Sequence, residues 1–189
     1  VGSEMCIRDR DGNMSYEVLE SKLTYEGKIV KVTVDKLQMP DGKAAYRETV
    51  IRGKNAAAAL AVDAEGKIIF VRQYRHAFKE MLLEIPAGVL EEGEEPSEGI
   101  KRELAEETGN LAGNMEFVCE IYPTVGFCTE KIFLYFASDL TPCPCCFDED
   151  EFIEVERYTP EEAMEMIYKG EIKDAKTVAA IFAYMTRHK

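Results

Sequence analysis

Between Pro96 and Gly109 the sequence PSEGIKRELAEETG specifies a helix with its own start and stop, and loads one face with acid. Proline suits the first helical turn, and glycine suits the residue after the last. Glu103 and Glu107 stand four apart, so they share a face, and Glu106 lies beside them. Like charges at this spacing cost an isolated helix roughly 0.2–0.5 kcal/mol. Two readings account for that cost. The plainer one is a solvated acidic face. The other places a divalent cation between the carboxylates, whose hard oxygens suit Mg²⁺ or Mn²⁺.

Around this helix the chain reads as short strands and two further helices. Segments 18–24, 29–38 and 44–51 look like three strands, and the second carries a partly period-two pattern. Met39-Pro40-Asp41-Gly42-Lys43 between the second and third is a reversal, since proline fixes φ and Asp-Gly suits a tight turn. These strands predict a small antiparallel sheet over 14–54, ahead of a main domain at 55–189. In the latter, 56–62 and 67–74 form a hairpin around Asp63-Ala64-Glu65-Gly66, and 82–85, 117–122, 132–138 and 154–158 supply further strands. Residues 87–95 read as an acidic loop.

Thr159-Pro160-Glu161-Glu162 is a capping box opening a helix that stops at Gly170. Asp174 caps the last helix, whose apolar face carries Val178, Ile181, Phe182 and Met185. Strands and helices mixed without regular βαβ alternation predict an α+β or three-layer fold.

The formal net charge of −13 argues against a nucleic-acid partner, which needs a basic surface. It does not exclude a small phosphorylated ligand, because bound metal offsets repulsion locally. No apolar run reaches the ~18–20 residues of a membrane span. Six cysteines without regular spacing, and no secretory segment, point to a reducing cytoplasm. Cys143, Cys145 and Cys146 form a C-P-C-C cluster, but His76 and His188 are the only histidines, so loop thiols are expected rather than a zinc site. His76 is expected to border a pocket and His188 to fray. Met5 to Arg10 resemble a translated sequencing adaptor fused to a gene fragment, so 1–13 read as a non-native leader and Met14 as the expected native start.

Gly88 to Gly109 matches the Nudix signature G-x5-E-x7-R-E-U-x-E-E-x-G-U at Gly88, Glu94, Arg102, Glu103, Leu104, Glu106, Glu107 and Gly109. The last position, normally bulky and apolar, is Asn110, and Leu111 is expected to take over its packing. Eight matches at fixed spacing are far more specific than a lone glycine motif. The chain therefore resembles the Nudix hydrolases. Val71 to Arg75, Leu83 to Gly88, Tyr122 to Phe127 and Gly170 to Thr177 are similar to the ADP-ribose pyrophosphatase branch, and the likeness spans about residues 25–181.

That resemblance implies an α/β/α sandwich with a mixed sheet, and hydrolysis of ADP-ribose, or a related ADP-sugar, to AMP and ribose 5-phosphate with Mg²⁺, or Mn²⁺ in its place. It implies Glu103, Glu107 and the Ala87 carbonyl as metal ligands, with Glu106 as a further ligand or catalytic group. Glu94 and Arg102 orient them. Arg75 is implied to contact the diphosphate and Arg47 the nucleotide or phosphate, as arginine forks suit phosphate oxygens. Glu91 and Glu130 are implied near the terminal ribose or the metals. Glu149 or Glu151, in Asp148-Glu149-Asp150-Glu151, is implied as the base on a closing loop. Proteins of this branch are usually homodimers that exchange their N-terminal sheets. Another sugar nucleotide such as GDP-mannose, a dinucleotide, and a non-catalytic nucleotide-binding regulator stay open.

Overall fold

The computed structural model describes residues 16–144 and 152–188. The leader reading of 1–13, the loop carboxylates Glu149 and Glu151, and Cys145 and Cys146 lie outside the described residues. The chain forms two compact units.

The first unit is the expected antiparallel sheet, with strands β1 (Glu17–Glu26), β2 (Val30–Gln38) and β3 (Ala44–Arg52) in that order. The Asp-Gly turn forms as read: Gly42 takes φ +82°, and Met39 N–H donates to the Lys43 carbonyl. One addition was not legible. Segment Thr124–Glu130 belongs to this unit rather than to the main domain. Val50 N–H donates to the Phe127 carbonyl and Thr129 N–H to that of Val50, which lays the segment along β3.

The second unit is built on β4 (Ala56–Val62), where Ala57, Ala58, Ala59, Leu60 and Ala61 are fully buried. Small side chains on both faces let helices pack closely above and below. The seven-stranded sheet runs β10-β5-β4-β9-β8, with β6 on β5 and β7 on β4. These strands are β5 (Ile68–Arg75), β6 (Glu80–Glu84), β7 (Ala87–Val89), β8 (Asn110–Ile121), β9 (Ile132–Pro142) and β10 (Glu154–Tyr158). The β4–β9 pair is parallel and the rest are antiparallel, so the sheet is mixed.

Alternation along β4 and β5 decides what faces each helix layer. Ala57, Ala59, Ala61 and Ile69 pack with Ile100 and Leu104 of α1 (Pro96–Thr108). Ala58, Leu60, Ile68 and Phe70 pack with Ala163 of α2 (Pro160–Lys169) and Ala180 and Ile181 of α3 (Ala175–Arg187). Burying a side chain such as Ile100 or Leu104 contributes roughly 1.5–3 kcal/mol. The α/β/α sandwich is therefore as expected. None of the described helices is long and apolar enough to cross a membrane.

The helix ends follow their sequence signals. Gly109 and Gly170 take left-handed φ of +67° and +74°. The Thr159–Glu162 capping box is formed in both directions, and Asp174 accepts from Thr177 N–H.

Five expectations change. Residues 87–89 pair with β4 as strand β7, not loop. β8 begins at Asn110, since its first half pairs with the extension of β9 and is largely solvated, hiding the apolar alternation. Leu111 is 49% exposed and does not take the packing position; Asn110 instead donates to the Thr108 carbonyl at 2.8 Å and Oγ1 at 3.2 Å. His188 does not fray: it stacks on Tyr184 at 4.2 Å, and its N–H donates to the Tyr184 carbonyl. Phe182 stays 40% exposed, outside the buried face of α3.

Candidate active site

The carboxylates of α1 converge on the backbone of β7. A Cβ on Gly88 would lie 1.9 Å from Cδ of Glu103, so only glycine leaves room for that carboxyl. One residue earlier, Ala87 N–H donates to Glu107 Oε2 at 3.2 Å. Glu107 is 5% exposed, an unusual place for a carboxylate without a specific partner. Two helix carboxylates, four residues apart, thus address consecutive residues of one strand.

Arg102 organises the outer side of this array. Its Nε and Nη2 donate to the two oxygens of Glu94, at 3.2 and 3.3 Å. Its Nη1 donates to Glu103 Oε1 at 2.9 Å and Glu106 Oε2 at 3.0 Å. Glu94 also accepts from Glu91 N–H at 2.8 Å, which ties the turn ahead of α1 to the helix. Arg102, then that backbone bond, holds the Glu94 carboxyl below its ordinary range. In return Glu94, with Glu103, raises the Arg102 guanidinium above its ordinary value. The orienting roles implied for Glu94 and Arg102 match this geometry.

Among the described residues, no three His, Cys, Asp or Glu groups already form a cation cage. The donor set nevertheless fits a hard divalent ion in kind. Glu103 and Glu107 bring carboxylate oxygens to Ala87–Gly88, and Glu106 stands on the same guanidinium as Glu103. A cation bound there competes with Arg102 for Glu103.

A second ionic cluster approaches from the other helix layer. Arg75, ending β5, donates from Nε and Nη2 to the two oxygens of Glu84 at 2.6 and 2.9 Å. Glu84 also receives Lys176 Nζ at 2.5 Å, and Lys176 reaches Asp174 at 3.0 Å. Burial pushes the Glu84 carboxyl up, but Arg75 and Lys176 outweigh it and hold Glu84 below its ordinary value. Arg75 is raised by Glu84 first, and also feels Glu107 and Asp174, which places it within electrostatic reach of the box. Glu84 and Lys176 lay inside motifs quoted from the sequence, yet no role was read for them. The available signal was a lone charge inside the apolar strand LLEIP.

The other expected site residues have contacts of their own. Arg47 lies on β3 in the first unit, with Nη1 on the Tyr46 carbonyl at 2.9 Å. Glu130, also in that unit, pairs with Arg52 at 3.1 Å. The Glu91 side chain is exposed, and His76 is exposed with its ring against Tyr74. A cavity of about 340 Å³ opens at the far end of β4 and β9, lined by Asp63, Asn114, Ser138, Tyr184 and His188; no α1 carboxylate reaches it.

The NUDIX domain profile matches residues 52–181. The chain belongs to the Nudix hydrolase family. It is 37% identical over 171 residues to a Bacillus subtilis protein named ADP-ribose pyrophosphatase, covering 89% of this chain and 92% of that one. It is also 37% identical over 167 residues to the methanol dehydrogenase activator of Bacillus methanolicus, covering 87% and 90%. Among solved structures, that of an ADP compounds hydrolase aligns over 97% of this chain and 96% of its own, with a TM-score of 0.85 at 20% identity, a likeness of fold.

This Nudix hydrolase uses the first glycine of its signature to seat a carboxylate. Gly88→Ala is therefore expected to leave the fold intact, because the obstructed atoms are the end of a flexible side chain, while displacing Glu103. Turnover should fall on the order of tenfold, since small misplacements of catalytic groups are costly. Paired melting curves and initial rates test this, and an alanine variant with wild-type rates would remove the assignment of Glu103.

Proposed function

We propose that this Nudix hydrolase cleaves the diphosphate of ADP-ribose, or a related ADP-sugar, to AMP and ribose 5-phosphate. The observation that carries the reading is the convergence of Glu103 and Glu107 on Ala87–Gly88, with the Arg75 guanidinium within electrostatic reach of Glu107. The name of the Bacillus subtilis relative supports the substrate class.

Glu103 and Glu107, with Glu106 and the Ala87 carbonyl, would hold Mg²⁺, or Mn²⁺ in its place. When bound, the metal polarises phosphoryl oxygens and offsets charge in the transition state. Arg102 and Glu94 keep the carboxylates in register. Arg75 and Arg47 bind the diphosphate and nucleotide, and Glu91 and Glu130 border the sugar or the metals. Water attacks one phosphorus of the diphosphate, its bond to the bridging oxygen breaks and the other phosphate leaves with that oxygen, while Glu149 or Glu151 takes the proton of the water.

Two other readings keep specific support. The box addresses a diphosphate rather than a base, so GDP-mannose or a dinucleotide remains chemically acceptable. A relative named as a dehydrogenase activator favours a nucleotide-binding regulator. Phosphate release from a panel of nucleoside diphosphate sugars, coupled to phosphatase, with and without Mg²⁺, separates all three. Hydrolysis of ADP-ribose ahead of GDP-mannose supports the proposal; binding without turnover overturns it.

The loop carries its own prediction. If Glu149 or Glu151 is the base, at least one of Glu149→Gln and Glu151→Gln lowers kcat by about tenfold or more, with KM little changed. A lost metal ligand would instead raise the Mg²⁺ requirement. Silent single and double variants would place the base elsewhere, among Glu103, Glu106 and Glu107.

A further inference from the structure

Lys176 is 8% exposed, and Glu84 is 3% exposed. An ammonium in such a place costs several kcal/mol in desolvation, and buried ion pairs are often no more stabilising than apolar residues of the same volume. The cap of α3 is made by Asp174, which accepts from the backbone N–H and the hydroxyl of Thr177 at 3.0 and 2.6 Å. The junction to β7 is made by Ile85 N–H donating to Thr177 Oγ1 at 2.9 Å. Lys176 Nζ donates at 3.0 Å to the same Asp174 oxygen, so it braces the cap from outside the junction.

The shorter contact of Lys176 is with the carboxylate that grips Arg75. Glu84 presents both oxygens to the Arg75 fork, and Lys176 takes a second bond on Oε2. A buried carboxylate facing one guanidinium alone would cancel much of the charge that attracts an anion. Sharing that carboxylate with a second cation returns part of it. The Nη1 edge of Arg75 is not used on Glu84, and the side chain is 40% exposed, so the guanidinium can meet a ligand while being held.

We propose that Lys176 is a positioning residue, which through Glu84 keeps Arg75 aimed and electropositive toward the diphosphate of the substrate. This rests on the reading of Arg75 as a diphosphate contact. Lys176 meets no substrate itself; it acts on affinity through two side chains.

The test uses the full chain as Lys176→Met and Lys176→Arg. With ADP-ribose, Lys176→Met should raise KM about tenfold while kcat changes far less, because a ground-state contact is weakened. The melting temperature should fall, because the buried Glu84 loses one of its two cations, and Lys176→Arg should recover most of the KM. A lowered melting temperature with unchanged KM assigns a structural role and overturns the proposal, as does a raised KM that arginine leaves unrepaired.

A second measurement does not depend on the substrate. The Arg75 Nε–H resonance, assigned by its loss in Arg75→Lys, is titrated with inorganic pyrophosphate. It should respond at roughly tenfold lower concentration in the wild type than in Lys176→Met, the same free-energy difference as in KM. Equal responses, or none in the wild type, overturn the proposal even if ADP-ribose is a good substrate. A wild type that ignores ADP-ribose but shows the shifted titration overturns only the substrate reading.

Discussion

Glu107→Gln is expected to lower kcat by roughly 10²-fold or more while leaving the fold almost unchanged, because charge aimed at a transition state is worth several kcal/mol. The structure sharpens both halves of that expectation. Glu107 is buried and receives Ala87 N–H, a bond that the carbonyl oxygen of glutamine can still accept. The variant removes one negative charge, which relieves a like-charge repulsion against Glu103 and gives up an attraction to Arg75. Glu107→Ala is the contrasting variant. It abandons the Ala87 N–H as well, and should cost about 1–3 kcal/mol of stability for the orphaned donor. If Glu107→Gln turns over near the wild-type rate at saturating Mg²⁺, the carboxylate is structural and the metal reading of the box fails with it.

The box could be read from the sequence because its chemistry lies on one helix. Pro96, Gly109 and the spacing of Glu103, Glu106 and Glu107 are local signals, and periodicity carries them directly into three dimensions. The same holds for the Thr159–Glu162 box and the Asp174 cap. Strand β4 was legible in full, because an apolar run bounded by turn residues has few alternatives. What escaped was set by contacts distant in sequence. Strand β7 is too short for a pattern, and exists because Ala56, Ala57 and Ala58 offer it an edge. The first half of β8 is held by β9, not by its own alternation.

The site shows the same division. The signature picks out Glu94 and Arg102, whereas the guanidinium that spans three carboxylates needs coordinates. The cluster of Arg75, Glu84 and Lys176 joins three elements separated by up to a hundred residues of chain. No periodicity could assemble it. Leu111 failed as a surrogate for the final signature position because it lies on a solvated strand end, whereas Asn110 satisfies the last turn of α1 through its side chain.

If the chain pairs with a second copy through its N-terminal sheet, as the ADP-ribose pyrophosphatase likeness implies, Leu19→Asp combined with Leu23→Asp is expected to give a monomer and to lower kcat/KM by about 10²-fold or more, as loss of substrate-positioning groups does. The argument begins with β1. It is the outer strand of its sheet, and all ten of its residues are exposed, including Val18, Leu19, Leu23 and Tyr25. Ile29 and Tyr46 add apolar surface nearby on the same unit. A long edge strand with this much exposed apolar surface is an association site unless something covers it. A second copy of the chain is the proposed cover, which matches the sheet exchange implied by the ADP-ribose pyrophosphatase likeness. In that arrangement Arg47 on β3 reaches the substrate of the partner, so separating the subunits removes an arginine from each site. Both leucines are exposed within the unit itself, so aspartates there should cost the isolated fold only about 1 kcal/mol or less. Analytical ultracentrifugation beside initial rates decides the matter. A monomer that keeps wild-type kcat/KM would leave Arg47 without a role across subunits, and a dimer that survives both charges would place the interface away from β1.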